Sequence, residues 1–147
     1  MSQNSVLYEE DFFAWTVEQA RLLRAGEFAA IDVDNLAEEI ESMGRRDRRE
    51  LKSRLSVLVM HLLKWSKQPG LRSRSWSATI REQRRQIEQI LDESPSLRPF
   101  TNEALVEVYD GARESAIAET GLADDTFPAT CPFSFDEVLA RAFLPEP

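Results

Sequence analysis

The stretch RDRRELKSRLSVLVMHLLKWSK, Arg46–Lys67, decides the fold class. Leu51, Leu55, Leu58, Leu62 and Trp65 step by four and three residues, the spacing that puts side chains on one face of an α-helix. Val57, Val59 and Leu63 widen that face beyond a coiled-coil seam, which predicts a central helix packed on more than one neighbour. Pro69 and Gly70 end it, because proline lacks the amide and its ring clashes with the preceding turn.

The same period recurs on both sides. Tyr8–Arg24 is expected to be helical, with Phe12, Trp15, Ala20 and Leu23 inward, Phe13 and Leu22 widening that stripe, and Gly26 just beyond the end. A second helix begins at Asp32 or Asp34 as cap, presents Leu36, Ile40 and Met43 as its apolar face, and breaks at Gly44. Downstream, Trp76–Asp92 repeats the pattern with Trp76, Ile80, Gln83, Ile87 and Ile90 or Leu91, capped by Ser73 or Ser75. The prolines of SPSLRPF, Ser94–Phe100, predict a loop. Thr101 or Asn102 then caps a helix that ends at Gly121, with Leu105, Tyr109, Ala112 and Ala116 on one side. Ser134 with Glu137 three residues on forms a capping box for a short last helix. No segment alternates like a strand. The expectation is all-α: one domain over residues 1–147, an antiparallel bundle of about five main helices plus a short C-terminal one. Residues 1–6 are expected to be a flexible tail.

Composition agrees with a folded domain. The 147 residues are 42% hydrophobic and 30% charged, and a chain this long buries roughly 70% of its unfolded surface. The N-terminus has neither a basic start nor an apolar run, so it does not read as a signal peptide. The longest apolar-rich stretch of the chain, LSVLVMHLLKW (Leu55–Trp65), is too short to span a bilayer. Cys131 is the only cysteine and can form no internal disulfide. A cytoplasmic protein is expected. The formal charge of −8 is divided unevenly: Arg45–Arg85 holds thirteen of the 18 basic residues against Asp47, Glu50 and Glu82, a local +10, which leaves −18 elsewhere.

In content and order the segments YEEDFFAW (Tyr8–Trp15), NLAEEIESMG (Asn35–Gly44), HLLKW (His61–Trp65), SRSWSATIREQR (Ser73–Arg84), SPSL (Ser94–Leu97), ETGL (Glu119–Leu122) and FPATCPFSFDEVL (Phe127–Leu139) resemble a bacterial family known only as domain of unknown function twenty-nine. The resemblance implies an all-helical cytoplasmic bacterial domain, and it brings no assigned activity or catalytic residue.

The residues themselves offer several sites, each with a plainer reading. Asp34, Glu38 and Glu41 make an acidic stripe, and with His61 they support an alternative function as a metal-binding helical protein or enzyme. Yet His61 is the sole histidine, and the stripe reads equally as a partner for arginines. Cys131 with His61 as base would make a nucleophilic dyad, but a cysteine among Phe127, Phe133 and Phe135 reads more simply as a small apolar plug. The arginine-rich middle, with Trp76, supplies a second alternative, nucleic-acid binding, against which the acidic whole and the absence of any recognised motif both speak. The preferred expectation is a polar cluster of Glu38, Glu41, His61, Arg81 and Arg84 tying helices together. The function expected is a non-enzymatic protein-interaction or accessory module that binds another protein or a second copy of itself. No cofactor, metal, catalytic residue, small molecule or membrane is assigned.

Overall fold

The computed structural model of the protein describes residues 3–147. Its elements are α1 (Gln3–Glu10), α2 (Phe12–Ala25), α3 (Val33–Lys67), α4 (Arg74–Glu93), α5 (Thr101–Thr120) and α6 (Phe135–Leu139). Short 3-10 turns cover Phe28–Ala30, Pro69–Leu71, Pro95–Phe100 and Asp124–Thr126, and no strand occurs among the described residues. The chain is all-α. It divides into two compact units, residues 1–46 and 47–147, and α3 runs through the boundary.

The larger unit is built on the leucine seam. Leu51, Leu55, Leu58, Val59, Leu62 and Leu63 are buried at 0–1% exposure. Around them pack Ile80, Ile87 and Leu91 of α4, Ala104, Leu105, Tyr109, Ala112 and Ala116 of α5, and Phe135 and Val138 of α6. Ala104, Ala112 and Ala116 add little volume of their own, but on the inner face of α5 they let bulky leucines approach the backbone closely. Ser73 caps α4 by accepting from the Trp76 amide at 3.1 Å. The capping box of Ser134 and Glu137 forms as expected. Thr101 does not cap α5 through its side chain: its hydroxyl donates to Arg98 O at 2.8 Å, and the preceding SPSLRPF segment is a 3-10 turn rather than an irregular loop. Gly121 closes α5 in the left-handed conformation, φ 69°, a region that glycine enters without a Cβ penalty.

In the smaller unit the expected first helix is two. Asp11 leaves the helical conformation (φ −148°, ψ 84°), and its carboxylate accepts from the Ala14 amide, so α1 ends and α2 starts there. Gln3–Val6, expected as tail, belong to α1, while Met1 and Ser2 lie outside the described residues. Trp15, Gln19 and Leu22 form the buried stripe of α2. Trp15 Nε1 donates to Asp32 Oδ2 at 3.0 Å, Asn35 Nδ2 donates to the same oxygen at 2.9 Å, and the Asp32 amide donates to Gln19 Oε1 at 2.8 Å. This buried polar knot fixes where α3 begins, and Asp32 O receives its first helical bond from Leu36 N.

The expected break at Gly44 is absent: α3 is one helix of 35 residues. A glycine inside a helix costs about 1 kcal/mol relative to alanine, which good helix formers on either side and the Arg45 contact with Glu38 offset. Gly44 does not enter the left-handed region that Gly26 and Gly121 occupy.

Candidate functional site

Residues 12–43 leave an unusual amount of apolar surface uncovered. On α2 the face opposite Trp15, Gln19 and Leu22 carries Phe13 and Val17, one turn apart and 77% and 55% exposed. With Val6, Leu7 and Ala14 they line a groove of about 650 Å³ between α1 and α2, rimmed by Glu10 and Glu18. The first turns of α3 add Val33, Ile40 and Met43, all exposed. The expectation that Ile40 and Met43 are buried is thereby corrected. Asp32, Asn35, Leu36 and Glu39 are the covered or half-covered positions there, a face set by the Trp15–Asp32 knot.

A ring cluster stiffens this unit. Tyr8 meets Trp15 edge to face at a centroid distance of 4.8 Å, and Phe12 stacks on Trp15 at 5.6 Å. The Tyr8 hydroxyl donates to Glu39 Oε1 at 2.6 Å. That hydrogen bond to a carboxylate, aided by desolvation and neighbouring negative charge, pushes the phenol up to about 12. Glu18 is held below the usual carboxylate range by its bond to Arg21.

The five residues expected to cluster have these partners. Glu38 accepts from Arg45 at 2.7 Å, and Glu41 lies 3.9 Å from the same guanidinium, all three exposed. The His61 Nδ1–H donates to Val57 O, one turn back on its own helix, at 2.8 Å. Arg81 is exposed. Arg84 is 4% exposed and is the buried tie of the larger unit, but its acceptors are carbonyls rather than carboxylates. Nε donates to Val138 O at 2.8 Å, one terminal nitrogen to Arg141 O at 3.3 Å and the other to Phe143 O at 2.7 Å. Burial lowers its pKa. Val138 O is one of the carbonyls that the end of α6 leaves without a helical partner, so Arg84 fastens the C-terminal segment to α4.

The remaining candidates resolve similarly. Among the described residues no group of three or more His, Cys, Asp or Glu is placed to hold a metal ion. The Cys131 thiol donates weakly to Phe133 O at 3.4 Å, and burial pushes its pKa up, away from the thiolate a nucleophile needs. Much of the basic middle is spent inside the larger unit. Lys64 pairs with Glu119 at 2.7 Å and lies over the Trp76 ring at 4.6 Å. Arg48 sits over Phe100 at 4.4 Å, Arg72 over Trp65 at 5.0 Å, and Lys52 pairs with Glu107. Trp76 is half-buried under a lysine, which is a poor position for stacking on a base. Sequence reasoning missed the Trp15–Asp32–Gln19 knot; its one signal was a buried-stripe glutamine next to a tryptophan that needs an acceptor.

The family model described as domain of unknown function DUF29 matches residues 7–144. Comparison with curated proteins gives no match, and comparison with solved structures gives none. Among the described residues no helix is long and apolar enough to cross a membrane.

Proposed function

The chain belongs to the DUF29 family, a domain of unknown function, and from that premise we propose that it is a small interaction module that pairs with a second copy of itself through residues 12–43. The observation that carries this reading is where its exposed apolar side chains lie. Among the described residues eleven large hydrophobic side chains are exposed, and eight of them (Phe12, Phe13, Val17, Leu23, Phe28, Val33, Ile40 and Met43) fall in that span, against three elsewhere. Scattered exposed leucines need no explanation, but a concentration of phenylalanines and aliphatics on 46 residues that have little core of their own does.

Charge selects the occupant. Residues 1–46 hold ten acids and four bases, a charge of −6, while residues 47–85 hold eleven bases and three acids, a charge of +8. A second copy therefore brings cations of the opposite sign, of which those not already paired or buried are available for the contact. In a two-fold pair each protomer offers both surfaces, so one contact is made twice. Arg49, Lys67 and Arg74 make no side-chain hydrogen bond or ion pair among the described residues and are available for it. The reading places the module in the bacterial cytoplasm, in keeping with a single cysteine that is free.

Light scattering during size exclusion, over a range of loading concentrations, tests this. The wild type is expected as a dimer that dissociates on dilution. Val17→Glu and Ile40→Glu, both at exposed positions, are expected to be monomers with unchanged thermal stability. A wild type that is monomeric at every concentration refutes the proposal.

A further inference from the structure

The larger unit holds a cavity of about 390 Å³ between α4 and the segment after α6. Four arginines line it: Arg81, Arg84 and Arg85 from α4, and Arg141 from the C-terminal segment. Glu88 is the one acid on the wall, so the lining carries +3. Ser77 stands one turn before Arg81 on the same helix face, and Ile80 and Leu144 make an apolar side.

Two features separate this cavity from an ordinary basic surface. The first is Arg84, a cation buried to 4% exposure whose three acceptors are all neutral carbonyls. A buried charge is normally balanced by a counter-charge, because carbonyl dipoles alone replace only part of what water supplied. The second is Arg81, whose side chain makes no hydrogen bond or ion pair among the described residues although Glu82 is its sequence neighbour; Glu82 is committed to Arg85, at 2.8 and 3.0 Å. Among the described residues the Arg141 side chain is tied only by a 3.4 Å contact with Glu88, and it is 85% exposed, so its guanidinium can swing inward.

We propose that this cavity is a binding site for a small phosphate monoester whose organic part is apolar. A dianion matches a lining of +3 better than a single carboxylate does. The planar fork of Arg81 can bind two phosphate oxygens side by side, with Ser77 donating to a third and Arg141 closing from the opposite wall. Arg84 supplies long-range attraction and a rigid floor without giving up its carbonyls. Ile80 and Leu144 take the apolar group, and the volume lies in the range that holds a small organic molecule. The cavity shares no lining residue with the exposed apolar side chains of residues 12–43.

Titration calorimetry on the full chain tests this with three probes: inorganic phosphate, phenyl phosphate and benzoate. Phenyl phosphate is expected to bind most tightly. Arg81→Gln is expected to weaken it about tenfold, as for one lost charge-assisted fork, without changing the melting temperature of the unliganded protein. Leu144→Gln is expected to weaken phenyl phosphate and leave inorganic phosphate unaffected. No heat with millimolar phenyl phosphate overturns the proposal, as does equal affinity of wild type and Arg81→Gln. If benzoate matches phenyl phosphate, the assignment of a phosphate dianion is wrong.

Discussion

Replacing Arg84 by methionine removes the three bonds that fasten the C-terminal segment and largely keeps the volume of the side chain. Two of those bonds, 2.8 Å to Val138 O and 2.7 Å to Phe143 O, are short, and the third, 3.3 Å to Arg141 O, is weaker. A hydrogen bond from a charged donor nets about 1.5–3 kcal/mol, so the two short ones contribute about 3–6 kcal/mol. Against this, methionine relieves the cost of burying a guanidinium that has no counter-ion, a cost visible in the lowered pKa of Arg84 and amounting to a few kcal/mol. The balance is a loss of about 1.5 kcal/mol, which for a chain of this size lowers Tm by about 5 °C. Arg84→Lys should recover only part of the loss, because a point charge cannot span three carbonyls. Urea unfolding followed by circular dichroism reads the total. Hydrogen exchange reads the place: Phe135–Phe143 should lose protection first. An Arg84→Met protein that melts with the wild type and protects α6 equally well would refute the view that this arginine is the buried fastening.

The same geometry sets three further outcomes. Gly44→Ala should stabilise the protein by about 0.5–1 kcal/mol, since the position is helical and a Cβ there meets nothing within 4 Å; a destabilised variant would show that α3 is interrupted. The two tyrosines should both titrate near 12 in the native protein, Tyr8 through its bond to Glu39 and Tyr109 through burial, so absorbance at high pH should show no step near the ordinary value of about 10. Because both folded values are raised, the protonated phenols stabilise the fold fully below pH 10, and that contribution disappears as pH rises from there to 12. Asp32→Ala should cost about 2 kcal/mol by leaving the buried Trp15 indole N–H without its acceptor, with near-ultraviolet dichroism and exchange in residues 12–40 as the readout; unchanged exchange there would contradict the knot.

The class and most of the helices were legible in the sequence because a buried stripe leaves a period. Leu51 to Leu63 announced the core of the larger unit, and Ser73, Gly121 and the Ser134–Glu137 box announced helix ends by chemistry local to each. Gly44 misled because a helix-ending glycine and a helix-interior one are the same residue. The difference lies in the residues C-terminal to each glycine. RRDRRE after Gly44 continues a helix readily, whereas Gly26 leads into a short 3-10 turn and Gly121 into a non-helical stretch. Ile40 and Met43 misled because an apolar helical face shows that something covers it without showing what. For Arg84 the burial was foreseeable from its position beside Ile80 and Ile87, but its partners were not. Backbone carbonyls are the same at every residue and leave no mark in a sequence, so charge complementarity alone pointed to Glu38 and Glu41, which meet Arg45 instead.

The most direct test of the self-pairing module is sedimentation equilibrium of the wild-type chain across ionic strength. Acidic and basic surfaces meeting around apolar side chains predict a mass of twice 16.8 kDa at low salt and a weaker association at high salt as the charges are screened. A mass of 16.8 kDa at every salt and protein concentration would contradict the account.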